Sequence, residues 1–199
     1  MQKERNECVL QCVSLKSPVG ELLLSGCERG VHAITITMET EHGSRLISDQ
    51  AELNSELQQC VTWLQSYFCS AQSVSSLPFP ALHHPLLQGG TCITYTPNHC
   101  HVGVDCINPY LFVSDSFTAR VLRILQSRVQ VGQTVSYKEL SEMAGNPKAA
   151  RAVGSVMRRN PVPLIVPCHR VLCSSGESGR YMGGKGDNIK LWLLSHERK

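Results

Sequence analysis

The chain has 199 residues, 42% of them apolar and 18% charged, with ten cysteines and a net charge of +3. That length holds one domain or two small ones, and the apolar fraction is enough to build a core. The charged start, Met1-Gln-Lys-Glu-Arg-Asn-Glu, has no apolar signal core, and no later run reaches the length of a membrane span, so the sequence reads as soluble and intracellular.

Without a secretory signal, the cysteines read as mostly reduced, which favours thiol chemistry or metal binding over a disulfide framework. No two of them form a CxxC pair, so a local zinc ribbon or a thioredoxin motif is excluded. The small net charge hides an asymmetry. Residues 1–115 carry 5 Lys and Arg against 11 Asp and Glu, and residues 116–199 carry 14 against 5. A basic half beside an acidic one is what a chain with one polyanion-facing side shows, although a solvated face gives the same bias.

From Glu7 to Met38 the pattern is that of strands. Val9, Gln11 and Val13 fall on one face, Ser17-Pro18-Val19-Gly20 is a turn signal, and Val31-His-Ala-Ile-Thr-Ile-Thr is rich in β-formers. A small antiparallel sheet is expected, followed by a polar loop over 39–50. Leu53, Leu57, Cys60, Val61, Leu64, Tyr67 and Phe68 then recur at helical spacing, which predicts an amphipathic helix over about 49–69. Ser70 to Pro80 reads as a linker. Residues 89–115 show no sustained period. Cys92, His99, Cys100, His101 and Cys106 could ligate a metal there, but their spacing fits no standard zinc pattern, and a loosely ordered insertion is the better reading.

Regular structure resumes at Ser116, which can cap a helix carrying Phe117, Val121, Leu122, Ile124, Leu125 and Val129. Ser136-Tyr-Lys-Glu139 is a capping box for a short helix over 137–144, closed by Gly145. Asn146, with Pro147 at the first helical position, is expected to cap the next helix, Lys148 to Arg159. Two short helices joined by a tight Gly-Asn turn make a helix-turn-helix. The second carries Ala149, Ala150, Ala152, Gly154 and Ser155 beside Arg151. Small residues allow close approach to a helix or to a nucleic-acid groove, and the basic half favours the groove.

Asn160-Pro-Val-Pro-Leu-Ile-Val-Pro-Cys168-His-Arg-Val171 places a cysteine at the end of an apolar run between prolines. Prolines fix φ and remove amide donors, so a stiff extended segment or an edge strand is expected. Imidazole and guanidinium neighbours favour a thiolate, although on composition alone Cys168 is more often an inert buried thiol. A Gly- and Ser-rich loop, 173–184, follows. The last helix, 188–197, is expected to pack through Ile189, Trp192 and Leu193 and to carry Lys190 and Glu197 on roughly one face.

Pro167-Cys-His-Arg-Val171, the preceding Asn160-Pro-Val-Pro163 and the helix-turn-helix with Asn146-Pro-Lys-Ala-Ala-Arg-Ala-Val-Gly154 together resemble the O6-alkylguanine-DNA alkyltransferases, also called methylated-DNA–protein-cysteine methyltransferases, of the vertebrate type. The resemblance covers about residues 7–88 and 115–197. It implies an α+β fold: an N-terminal structural domain (1–88) with a small antiparallel sheet and a helix, an insertion (89–114), and a helical C-terminal domain (115–199) with the helix-turn-helix and an active-site loop. It implies a monomeric, nuclear DNA-repair protein. This protein would flip O6-methylguanine, and less readily O4-methylthymine, out of double-stranded DNA through the minor groove and move the alkyl group irreversibly to Cys168.

The roles implied by the resemblance are these. His169, oriented by Glu197, deprotonates Cys168 through a water, and Tyr137 and Lys190 complete the catalytic set. Thr118, Tyr137, Lys138, Asn146, Arg151 and Ser174 contact DNA, with Arg151 filling the space left by the flipped base. Met157, Asn160, Pro163, Val171, Tyr181 and Met182 form the alkylguanine pocket. Cys8, Cys27, His32 and His83 hold one structural zinc, a set too scattered for the sequence alone to reveal. Lys138 departs from the glutamine of the human family member and adds charge. The segment 90–114 is an addition to the family pattern, and the loop after Gly184 is about two residues longer. A non-catalytic alkyltransferase-like DNA-binding protein would not need Cys168 with His169 and Glu197. A Cys-His hydrolase would explain neither Arg151 nor the basic half.

Overall fold

The computed structural model describes residues 7–37, 53–88, 93–95 and 116–199; of Glu7 and 93–95 only the backbone is described. The ligation set read in 92–106 and the polar loop at 39–50 lie outside the described side chains. The chain divides into two compact units. One takes in Met1–Thr62 and Pro80–Ser116, the other Trp63–Phe79 and Phe117–Lys199. The segment Trp63–Phe79 thus belongs with the C-terminal residues, whereas the sequence division had it in the N-terminal domain.

In the first unit, strands β1 (Glu7–Val9), β2 (Gln11–Ser17), β3 (Gly20–Cys27) and β4 (Gly30–Thr37) follow one another. The antiparallel sheet has the order β2-β3-β4, as the β-former content suggested. β2 and β3 join through the two residues Pro18 and Val19, with Ser17 opposite Gly20. Gly20 takes a positive φ of 115°, which a tight hairpin asks of it. The single face expected for Val9, Gln11 and Val13 does not form. The chain leaves the strand at Leu10, so Val9 is 74% exposed while Leu10 and Val13 are buried. Leu22, Leu24 and Val31 form the sheet's fully buried face.

Helix α1 (Ser55–Cys69) begins later than its apolar period suggests, because Asn54 caps it: Leu57 N donates to Asn54 Oδ1 at 2.9 Å. Its first turns, with Leu57 and Cys60 fully buried, lie in the first unit. The segment read as a Ser-rich linker is instead ordered as a 3-10 turn, Ala71–Ser76, anchored by buried Ala71 and Val74. A short helix, α2 (Pro85–Gln88), and strand β5 (Ile93–Tyr95) also belong to the first unit. β5, inside the stretch read as an irregular insertion, pairs in parallel with β1.

The second unit contains α3 (Phe117–Arg128), β6 (Val135–Ser136), α4 (Tyr137–Met143), α5 (Ala150–Arg158), β7 (Val171–Leu172) and α6 (Asp187–His196). β6 and β7 pair in parallel, so the segment after Cys168 returns beside the start of α4. The capping box is present as expected. Ser136 Oγ accepts from Glu139 N at 3.1 Å, and Glu139 Oε2 accepts from Ser136 N at 2.8 Å. Gly145, at φ 79°, closes α4 in a Schellman turn: Asn146 N donates to Ser141 O and Gly145 N to Glu142 O. Asn146 therefore does not cap α5, contrary to the expectation. It belongs to the closing turn of α4, and Ala149 N donates to Asn146 O at 3.0 Å before α5 starts at Ala150. In α6, Ile189 and Leu193 pack inward, but Trp192 is 36% exposed and stacks on His196 instead of joining the buried stripe.

Candidate active site and metal cluster

The segment 160–171 is compact, not extended. Its prolines leave few amide donors, and Asn160 ties it into a loop. Asn160 Nδ2 donates to Val166 O at 2.8 Å, Oδ1 accepts from Val162 N at 3.2 Å, and Val166 N donates to Val162 O at 3.0 Å. Leu164 is held at φ 74° with its side chain 1% exposed, an uncommon backbone for a branched residue that packing enforces. A 3-10 turn, Cys168–Arg170, follows and delivers the chain to β7. The stiff extended segment or edge strand expected here is instead a folded loop closed by these hydrogen bonds.

Cys168 is 6% exposed, and its Sγ lies 3.7 Å from the Tyr181 hydroxyl. Burial raises the thiol above its ordinary value, and the Asn160 and Tyr181 hydrogen bonds and the Lys190 charge act against that rise. These groups replace the sequence neighbours His169 and Arg170 as the influences on Cys168. Lys190 is itself buried. Its Nζ donates to Val171 O at 2.7 Å and to Ser178 O, and sits 6.0 Å from the Tyr181 ring centre. Burial lowers its ammonium, opposed by Cys168, Cys173 and Asp187.

His169 and Arg170 face Glu197. His169 Nε2 is 2.7 Å from Glu197 Oε1. Arg170 donates from Nε to Oε2 and from Nη2 to Oε1, each at 2.9 Å, and from Nη1 to Val129 O at 2.6 Å. Tyr67 Oη donates to Oε1 at 2.7 Å, and Gly132 N donates to Oε2 at 3.2 Å. Burial alone would raise the Glu197 carboxyl, but His169 and Arg170 outweigh it and hold the carboxyl well below the usual carboxylate range. A carboxylate only accepts, so the His169 proton resides on Nε2 and the neutral ring keeps its lone pair on Nδ1. That Nδ1 is buried with no hydrogen-bond partner among the described residues. Burial also lowers the imidazole, opposed by Glu197, so the neutral ring is favoured.

Tyr137 opens α4, and its ring is close to Gly154 of α5 on one side and Gly179 on the other. Burial raises its hydroxyl, as do the nearby thiols of Cys173 and Cys168. Lys138 and Ser174 line one open cavity of about 510 Å³ with Ser136, Cys173 and Gly176. Asn146 and Arg151 are exposed and Thr118 is half-buried, and no hydrogen bond joins any of these three to Cys168 among the described residues. Met157 and Pro163 are half-buried, Val171 and Tyr181 are buried, and Met182, at φ 50°, is 42% exposed.

Three contributors escaped the sequence reading. Tyr67 looked like a core position of an amphipathic helix and Arg170 like a charge acting on Cys168, while Gly132 contributes only its backbone N–H. Nothing local to Tyr67 signals a partner 130 positions away.

In the first unit Cys8, Cys27, His32 and His83 are all buried, and their ligand atoms lie within 4.8 Å of one another. His83 Nδ1 is 3.5 Å from Cys8 Sγ, 3.2 Å from Cys27 Sγ and 3.2 Å from His32 Nε2; His32 Nε2 is also 3.2 Å from Cys27 Sγ. One imidazole nitrogen cannot serve three such partners by hydrogen bonding. Zinc bonds of about 2.0–2.3 Å place tetrahedral neighbours roughly 3.3–3.8 Å apart, so the four donors fit one metal ion. Burial lowers His32 to about 4, keeping its lone pair available. His83 arrives because residues 81–83 run along the free edge of β4: Val31 N donates to Ala81 O, and His83 N to Val31 O, both at 2.8 Å. Cys8, Cys27, Cys60, Cys69, Cys168 and Cys173 are not in disulfides; Cys12 alone among the described cysteines is.

Comparison with known proteins gives one answer. Residues 116–199 match the DNA-binding domain of 6-O-methylguanine DNA methyltransferase, and residues 10–81 match its ribonuclease-like domain. The methylated-DNA–protein-cysteine methyltransferase of Cricetulus griseus is 41% identical over 96% of this chain and 83% of its own length. That of Homo sapiens is 39% identical over 96% of this chain and 82% of its own. Among solved structures, a Mycobacterium tuberculosis OGT in complex with DNA superposes with a TM-score of 0.63 at 26% identity, covering 94% of this chain and 92% of that one.

Proposed function

The chain belongs to the 6-O-methylguanine DNA methyltransferase family, and from that membership we propose that it repairs DNA by moving the alkyl group of O6-alkylguanine onto Cys168. The observation that carries the reading is the buried Cys168, placed beside Asn160, Tyr181 and Lys190, with the His169–Glu197 pair on the next residue of the same 3-10 turn.

The Cys168 proton passes through a water to His169 Nδ1, the acceptor left open by the Nε2–Glu197 bond. Glu197 stabilises the imidazolium. The thiolate attacks the alkyl carbon, an S–C bond forms and the C–O6 bond breaks. Guanine leaves with that electron pair and takes a proton or hydrogen bond from Tyr137 at N3 and from Met182 N–H at O6. Cys168 O and Val171 O read the exocyclic amine, and Met157, Pro163 and Tyr181 line the pocket. The product is a thioether, outside the redox chemistry that restores thiols, so each molecule acts once.

Double-stranded DNA binds through its minor groove against α5, whose Ala150, Ala152 and Gly154 allow close approach. The damaged base flips out, and Arg151 fills its place. Thr118, Lys138, Asn146 and Ser174 contact the DNA. Support comes from the basic half of the chain, the exposure of Arg151 and the DNA-bound solved relative. Cys8, Cys27, His32 and His83 would hold zinc, which supplies no chemistry to the transfer and cross-links the sheet to residues 81–83. The protein acts as a monomer in the nucleus, where its substrate is.

Titrating a duplex bearing one O6-methylguanine against increasing protein tests the proposal. Repair should plateau at one lesion per chain with no turnover. Continued turnover, or no loss of the lesion, would overturn it.

A further inference from the structure

We infer that Tyr67 is a positioning residue for the His169 base, holding the Glu197 carboxylate so that the shared proton stays on His169 Nε2. The inference deepens the proposed alkyl transfer and rests on it for its kinetic part.

The geometry is specific. Tyr67 and His169 both bond the same atom, Glu197 Oε1, each at 2.7 Å. Arg170 Nη2 takes the third place on Oε1, and Arg170 Nε and Gly132 N occupy Oε2. The carboxylate only accepts, so the Tyr67 hydroxyl must donate to it. Burial, then the Glu197 charge, push that hydroxyl well above its ordinary range, so it stays protonated in this role. A donor on Oε1 lowers the oxygen's proton affinity. It weakens the pull on the Nε2 proton and limits how far Glu197 stabilises the imidazolium. Tyr67 therefore sets the basicity of His169 Nδ1 from the far side of the carboxylate.

The tyrosine is itself fixed. It is fully buried, its ring stacks on Trp63 at 5.7 Å, and its carbonyl is 2.7 Å from His196 Nε2. The charges acting on the His169 ring are Arg170 and Lys190, which disfavour the imidazolium, and Glu197, which favours it, while His196 and Tyr181 are the further titratable groups near Tyr67. Phenylalanine at 67 would keep the ring and remove only the donor. Oε1 would become more basic, and His169 would titrate at a higher pH.

Two readouts test this in the full-length chain. In Tyr67→Phe, the NMR titration of the His169 imidazole should move up by about half a pH unit, and the acid limb of the alkyl-transfer rate should move with it, an approximately threefold loss on that limb. Replacing Tyr67 by 3-fluorotyrosine, a stronger donor of nearly the same shape, should move both in the opposite direction. A lower unfolding midpoint with both curves superimposed on wild type would reduce Tyr67 to a packing residue and overturn the inference. If wild type transfers no alkyl group, the proposed function fails, and the imidazole titration still decides whether Tyr67 tunes His169.

Discussion

His169 Nε2 lies 2.7 Å from Glu197 Oε1, with the two side chains 0% and 1% exposed. Arg170, one residue on, neutralises the same carboxylate. A buried charge that loses its counter-charge is costly, so Glu197→Gln should destabilise the protein by about 3–5 kcal/mol. Urea denaturation at neutral pH measures this, and Arg170→Ala should cost a similar amount by stranding the carboxylate.

The same pair gives a pH dependence with a definite sign. The folded-state value of Glu197 is depressed, so its stabilisation is complete above the unfolded carboxyl value of about 4.3 and is lost as pH falls below it. The folded-state value of His169 is also depressed. It remains neutral while the unfolded histidine protonates near about 6.5, so its contribution is complete above that pH and falls below it. Urea midpoints should therefore decline on acidification from pH 7, with a second decline below about 4.3 that Glu197→Gln lacks.

Local chemistry made much of this fold legible. Ser136 and Glu139 form the capping box their spacing announces, and Gly145 closes α4. The α1 residues that recur at helical spacing are buried, apart from half-buried Phe68. The site was legible only through the resemblance around Cys168. The failures share a cause. Asn146 and Pro147 have the composition of a cap, but the Schellman turn claims Asn146 first. His169 and Arg170 are neighbours of Cys168 in sequence, yet the 3-10 turn sends them to a carboxylate at the far end of the chain. Tyr67 reaches Glu197, and Cys8 and His83 reach Cys27 and His32, only through tertiary packing, which no local spacing encodes.

Gly30 should control the metal cluster. Its φ is 145°, and an added Cβ would meet Ala81 O at 2.6 Å and Leu82 N at 3.0 Å. Gly30→Ala should cost about 1–3 kcal/mol in backbone strain alone. It would also push the 81–83 segment off β4 and displace His83. Zinc per chain, measured by elemental analysis, should fall in Gly30→Ala nearly as far as in Cys27→Ser.

Removing the metal should lower the thermal midpoint, because an ion bound only to the folded state stabilises it by mass action. Melting the protein with and without a strong chelator, then restoring Zn²⁺, checks this. Cys27→Ser should melt near the chelated midpoint and show no response to the chelator.

Arg151 should matter for DNA and not for the thiol. Holding a base out of the stack costs a few kcal/mol, so Arg151→Ala should slow repair of duplex O6-methylguanine on the order of ten- to a hundredfold. Transfer from free O6-benzylguanine should stay close to wild type. Lys138→Gln should weaken duplex binding and reduce the slope of log K against log salt by about 0.9, the share of one phosphate contact.

Cys168 should be the alkyl acceptor. Digestion and peptide mass mapping after incubation with duplex O6-methylguanine test it most directly. One methyl group per chain is expected, all of it on the peptide containing Cys168, and none in Cys168→Ala despite retained DNA binding. Methylation of Cys173 or another thiol instead, or an unmodified chain, would contradict it.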